Sequence, residues 1–526
     1  MTPRAHRRRA CSVAVCVACA LIVAWPTAAG GSESVAAESA RDAQAALESA
    51  EQALTEGSSG APDRDATAAL SQLAEALPAL VDRDRRQAER ILARPTDGND
   101  DPQGFGYDVP AALVRSEPSS EDHFCVFWVA TTEDAPDLDD NDGNDDGDGV
   151  PDYVEAILAI AEISYDVEVG ELDWQEPKPD QEDECSPNPA GPQADIYLKQ
   201  LGDQGLYGYE APDSPPSQPA NARSKFGFLV IDNDYAASEF PGYADRLDPA
   251  RVTVAHEFNH LLQERYAAFQ DLWMFESTAT WMEEKVFPAV DDYLSFLAPF
   301  AATPGIPITE GMGLRIYATA VWSHWLESGY GPDVIRRAWE VSDRTQPRDF
   351  AIDAYARAIS DLGGHGFSRE FTRFAAATAE WRTGHGGFPD ASRYPDMRRK
   401  GSLEPGARKA KRFRLNHAAY RLFRVKPARA PRIRLRVRAE RGVRTGIALV
   451  ARRGRTVSEG VKRKVHFLRR GGKDSVALGR LRRFERVTAV VVNADGRARE
   501  ARFGAWDYRK DRSRFAARLE RATAAR

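Results

Sequence analysis

At 526 residues, with 42% hydrophobic and 29% charged residues, the chain has material for roughly two to four domains and a large core, which excludes a disordered, fibrous or disulfide-dense scaffold. The net charge of −8 hides an asymmetry: residues 401–526 hold 38 Lys and Arg against 10 Asp and Glu, whereas residues 1–400 hold 33 against 69. The basic residues of the tail are scattered through apolar alternation, so no nucleic acid is expected, and the tail suits an anionic cell-surface polymer or the acidic body of the same chain.

Residues 1–29 run from basic MTPRAHRRRA through apolar CSVAVCVACALIVAW to small PTAA. That order is a secretory signal peptide, with an apolar run short of the roughly twenty residues that span a bilayer. An exported protein with no membrane span after signal removal is expected. Cys11, Cys16 and Cys19 would leave with the leader, and Cys125 and Cys185 remain as an even pair in an oxidising compartment, which predicts one disulfide. Residues 30–104 form a helical segment interrupted at Pro78, closing on the linker PTDGNDDPQG. Without a catalytic motif, this segment is either a removable pro-segment or a small helical domain or stalk.

HFCVFWVAT, ADIYLKQL and KFGFLVID read as strands, with an irregular loop, YEAPDSPPSQPANARS, between the last two. Between the first two lies NDDGDGVPDYVE, residues 144–155. Against a twelve-residue calcium loop, Asn144, Asp146 and Asp148 take positions 1, 3 and 5, Gly149 position 6, the Val150 carbonyl position 7, Asp152 position 9 and Glu155 position 12. A helix from Pro151 to Tyr165 follows. Residues 249 to 384 are mostly helical by spacing, and AYRLFRV, PRIRLRVRA, GIALVARR and VTAVVVN read as strands of a small β-sandwich.

The chemistry centres on His256-Glu257-Phe258-Asn259-His260. Asp248 as N-cap and Pro249 as first helical residue give this helix a start. Val252, Val254, Ala255, Phe258, Leu261 and Leu262 keep helical spacing, so the two histidines share a face one turn apart. Two such imidazoles can hold one zinc ion at about 2.0–2.1 Å. Glu257 projects beside the metal, placed to take a proton from an attacking water and deliver it to the departing amine. A third ligand is needed. Gln263 and Tyr266 stand where a three-histidine motif needs Gly and His, whereas Glu276 lies sixteen residues past His260 on a second predicted helix, with Glu283 and Glu284 as alternatives.

AHEFNHLLQ followed by WMFESTATWMEE resembles the gluzincin metallopeptidases, and most of all a poorly characterised group of secreted bacterial metalloproteases with a W-x-x-E-x-x-A-x-W helix. The resemblance extends over residues 105–385 and implies His256, His260 and Glu276 as zinc ligands with Glu257 as general base. It departs at Thr280, where the best-known gluzincins carry an acid that orients the first histidine; Glu283 is the residue left for that role. Tyr317 is a candidate for stabilising the oxyanion, although Tyr317 and His324 also fit an aromatic core stripe with Trp322 and Trp325.

The expectation is an α+β protein. A zincin-like peptidase domain at 105–400 would carry a mixed sheet, an active-site helix and a helical C-terminal subdomain, and residues 401–526 would form a basic β-sandwich-like domain. The expected activity is secreted, zinc-dependent hydrolysis of protein or peptide substrates, with calcium as a second metal. The competing class is an inactive, calcium-stabilised cell-wall or surface binding protein on a peptidase-like scaffold.

Overall fold

The computed structural model describes residues 30–522 apart from 56–65, 98–105, 111–112, 137–148, 180–184, 186–192, 214–222, 269, 312, 344–350, 385–386, 426–430, 455–459, 469 and 497–510. The leader and Asn144, Asp146 and Asp148 therefore lie outside the described residues. Of the remaining calcium-loop positions, Gly149 has a φ of 92°, and Asp152 and Glu155 lie in the first turn of α4 (Asp152–Tyr165). Among the described residues no helix is long and apolar enough to cross a membrane.

The fold is α+β. Its first sheet orders five strands as β1 (Val114–Pro118), β2 (Phe124–Val129), β3 (Ala194–Lys199), β5 (Gly227–Asp232) and β4 (Gly208–Pro212). The three central strands are parallel and both edges antiparallel. All six residues of β2 are buried because both faces of the sheet are covered. Phe124, Val126, Ile196, Leu198, Leu229 and Ile231 face a core shared with α4 and α5 (Asp248–Ala267). Phe127, Val129, Tyr197, Phe228 and Val230 face a second core made with α1 (Gly30–Thr55), α2 (Thr67–Ala76) and α3 (Asp82–Ile91). The N-terminal segment is thus a helical layer on the outer face of the sheet. Arg94 fastens it with bonds to Asp195 and Asp213 at 2.7 and 2.8 Å. Cys125 and Cys185 are joined by a disulfide that ties residue 185 to β2.

Two strands of this first sheet differ from the sequence reading. YEAP, read as the start of an irregular loop, belongs to edge strand β4, and β1 was not anticipated at all. Pro212 is tolerated because β4 pairs on one side only. Helix α5 also begins differently. Asp248 is its first residue, not its cap, and bonds the Asp245 N–H and the Arg251 side chain instead of the helix's own N–H groups.

Helix α5 is buried around nearly its whole circumference, as a helix inside a large core must be. After it, α6 (Leu272–Val286) packs antiparallel across a short turn, and α7 (Leu297–Ala302), α8 (Ala320–Tyr330), α9 (Asp333–Asp343), α10 (Ala351–Asp361) and α11 (Phe367–Thr378) build the helical region. The C-terminal part is a sandwich. One sheet orders β11 (Val461–Leu468), β10 (Thr445–Arg452), β13 (Arg486–Asn493), β8 (Ala419–Val425) and β6 (Arg399–Leu403). The other orders β12 (Gly472–Gly479), β9 (Arg432–Ala439), β14 (Ser513–Arg521) and β7 (Lys411–Leu415). In β9 Ile433, Leu435, Val437 and Ala439 point inward while the arginines between them point out. In β10 Ile447 and Leu449 enter the sandwich core, whereas Ala448 and Val450 join the core of the helical region.

Candidate metal centre

Helix α5 supplies His256 and His260, whose rings lie 4.7 Å apart, and the following helix supplies Glu276. The helical hairpin brings one ligand atom from each within 4.8 Å of the others, and all three residues are buried. Glu276 Oε2 stands 3.3 Å from His256 Nε2 and 3.7 Å from His260 Nε2.

The other nitrogen of each ring is occupied. His256 Nδ1 is 2.7 Å from Glu283 Oε1, and His260 Nδ1 is 2.8 Å from Gln263 Oε1. Both partners are acceptors there: Glu283 is a carboxylate, and the Gln263 amide nitrogen is directed to Asn259 Oδ1 and Thr278 Oγ1 at 2.6 and 2.9 Å. The ring protons therefore sit on Nδ1, leaving the Nε2 lone pairs facing the Glu276 carboxylate. Two lone pairs and a carboxylate oxygen repel unless a positive charge lies among them. His260 Nε2 and Glu276 Oε1, although buried, have no hydrogen-bond partner among the described residues, a costly arrangement for a protein alone. Ligands of a tetrahedral ion at about 2.0–2.1 Å stand roughly 3.4 Å apart, close to the two measured separations. The residues fit a small cation.

A further chain of contacts was missed by sequence reasoning. After α4 the backbone widens into a π-helical turn, Asp166–Glu171, and Glu168 from this turn accepts from Asn259 Nδ2 at 2.8 Å. Burial pushes the Glu168 carboxyl well above its ordinary range, with the Asn259 amide pulling the other way. Asn259 in turn steadies Gln263, which orients His260. No spacing rule marks Glu168, ninety-one residues from Asn259; Gln263 was visible only as the wrong residue for a three-histidine motif.

Glu257 is 2% exposed and points to the edge of the sheet. There Thr67, the first residue of α2, donates its hydroxyl to Glu257 Oε2 at 3.0 Å and accepts the main-chain N–H of Glu210 in β4 at 2.9 Å. Glu210 and Glu264 lie beside Lys225 below it. Burial raises both carboxyls, Glu264 to about 8, against the lowering charge of Lys225. Tyr317 is buried with its ring 6.1 Å from that of His256. His324 is turned instead towards Tyr293, at 5.1 Å between rings. The Thr280 hydroxyl is buried without a hydrogen-bond partner among the described residues.

No curated protein matches the chain. Residues 243–433, which hold α5, α6, the helical region and the first strands of the sandwich, match a family model described as a family of unknown function (DUF6055).

Proposed function

We propose that the protein is a gluzincin-like, zinc-dependent peptidase, exported as its leader suggests, that hydrolyses peptide bonds with Glu257 as general base. The observation that carries this reading is the convergence of two Nε2 atoms and the Glu276 carboxylate with both Nδ1 atoms already held. Two imidazoles and one carboxylate are a donor set zinc takes in catalytic sites, where a fourth position stays open. His256, His260 and Glu276 would hold the ion, and Glu283 and Gln263 would keep the rings aimed. Zinc supplies Lewis acidity, polarising a carbonyl and acidifying water. Glu257 receives the proton of the attacking water and returns it to the amine that leaves. Tyr317 is the candidate donor to the oxyanion on the His256 side.

The reading includes a closed resting state. Thr67 occupies both the base and an outward N–H of β4, a main-chain group on which an extended peptide would pair. With Glu257, His256 and Glu276 each 2% exposed or less, a substrate has to displace Thr67. The helical layer as a whole stays, because its loss would uncover Phe127, Tyr197, Phe228 and Val230. Only the Thr67 end of α2 has to move.

Glu257→Gln tests the assignment. Elemental analysis of parent and variant should find stoichiometric zinc in both, with cleavage of unfolded protein substrates only in the parent. A parent without zinc would sink the reading. Zinc without cleavage, persisting when Thr67 is replaced, would favour the inactive surface-binding class.

A further inference from the structure

Helix α6 carries a second acid that serves no part of the centre described above. Glu283 turns towards His256, and Glu284, the next residue, projects about 100° around the helix towards the turns at 287–292 and 389–394. Glu284 is 7% exposed, and its buried Oε1 has no hydrogen-bond partner among the described residues. Asp291 and Asp390 meet it, one oxygen from each of the three carboxylates lying within 4.8 Å of the other two. Both aspartates hold a left-handed backbone, with φ of 58° and 46°. Tyr293 closes the cluster: its hydroxyl lies 3.4 Å from Asp390 Oδ2 and from the Pro389 carbonyl, and 3.1 Å from the Tyr394 hydroxyl.

Three carboxylates at this spacing repel one another, and the buried one cannot be relieved by water. Arg393 pairs with Asp291 and answers one of the three charges. Nearby Lys285 is engaged by Glu327 at 2.5 Å. What remains is a cluster of acidic groups around a Glu284 oxygen that is desolvated and unbonded among the described residues. All the donors are oxygen, which selects a hard cation. They come from three separate segments and include a carbonyl and a phenol near the carboxylates, an irregular set that suits calcium better than the strict octahedron of magnesium.

We propose that Glu284, Asp291 and Asp390 bind a calcium ion. The ion would fasten the C-terminal end of α6 to the two turns beyond it. Because Glu276 and Glu283 lie on the same helix, the site would also hold their register against α5. The proposal stands whether or not the chain is a peptidase, and it is independent of residues 144–155.

The test uses the full chain, after removal of divalent ions and reloading with zinc. Terbium serves as the probe, since Tyr293 next to Asp390 can sensitise its luminescence. The parent should show tyrosine-excited terbium emission that calcium displaces and equal magnesium does not, and its Tm should rise by several degrees with calcium. In Glu284→Gln and in the more exposed Asp390→Asn, that emission and that rise should be lost while zinc content and far-ultraviolet circular dichroism are unchanged. Asp148→Ala serves as the control for the other acidic segment and should retain both signals. A sign inversion separates a ligand from a structural acid: without calcium Glu284→Gln should be at least as stable as the parent, and with calcium less stable. Unchanged terbium emission and calcium response in both variants would overturn the proposal, and equal displacement by magnesium would overturn the choice of ion.

Discussion

Thr67→Val gives the sharpest test of the closed state. Valine keeps the shape of threonine, so the buried position at the start of α2 is not emptied, but two hydrogen bonds vanish. A bond to an ionised carboxylate contributes about 1.5–3 kcal/mol and a neutral main-chain bond about 1 kcal/mol net. The closed state should therefore lose about 3 kcal/mol relative to one in which Glu257 and the Glu210 N–H face water, roughly a hundredfold in the ratio of closed to open. The assay is hydrolysis of a quenched fluorescent peptide by intact, zinc-loaded protein, with Thr67→Val, Glu257→Gln as blank. The value of kcat/KM should rise by up to about a hundredfold, levelling off once the open form dominates. A Thr67→Val protein with normal zinc content and normal circular dichroism that is no more active than the parent would refute the reasoning. A lower kcat at unchanged KM would instead make Thr67 a residue that positions the base.

Glu283→Gln should weaken zinc binding by about ten- to a hundredfold, measured by chelator competition, because the acceptor that holds the His256 ring becomes neutral. Replacing Cys125 and Cys185 by alanine opens a loop closed across 60 residues and should cost about 4 kcal/mol on the chain-entropy account, read from urea unfolding. Glu327 offers a pH test. Burial would raise its carboxyl, but the nearby His324 ring and bonds from Lys285 and Trp281 outweigh burial and hold it at about 2, against an ordinary 4.5. A depressed carboxyl stabilises the fold above its unfolded pKa, and that stabilisation is lost as pH falls from about 4.5 towards 2. Unfolding midpoints of Glu327→Gln should show a shallower decline than the parent across that interval.

The α5–α6 hairpin was legible because it follows local rules. Helical spacing put His256 and His260 on one face, and the second helix expected to carry Glu276 is α6. The partners of that hairpin were not legible, for a reason common to all of them. Glu168, Thr67 and Glu210 reach the site from the π-helical turn after α4, the start of α2 and an edge strand, each by a contact that depends on how whole elements pack. Strand β4 was hidden by its own composition, with Gly208, Glu210 and Pro212 in five residues and pairing along one side only. In the C-terminal region the apolar strands β8, β9, β10 and β13 were visible, whereas β6, β7, β12, β14 and β11, with basic residues through VKRKVHFL, were not. An edge strand carries charge to discourage pairing with another chain, and the same charge conceals it.

Strand β10 shows what the C-terminal sandwich is to the rest of the protein. Its odd and even residues enter two different cores, so it is a shared wall, not the skin of an appended module. A chain stopped at residue 400 would uncover the side of Phe371 and Phe374 that now faces Tyr420. Such a fragment should be insoluble, whereas the intact helical region and sandwich should melt in a single calorimetric transition. The stretch that matches DUF6055 runs across this boundary as far as residue 433, so dissecting the protein between metal centre and tail would cut through one folding unit.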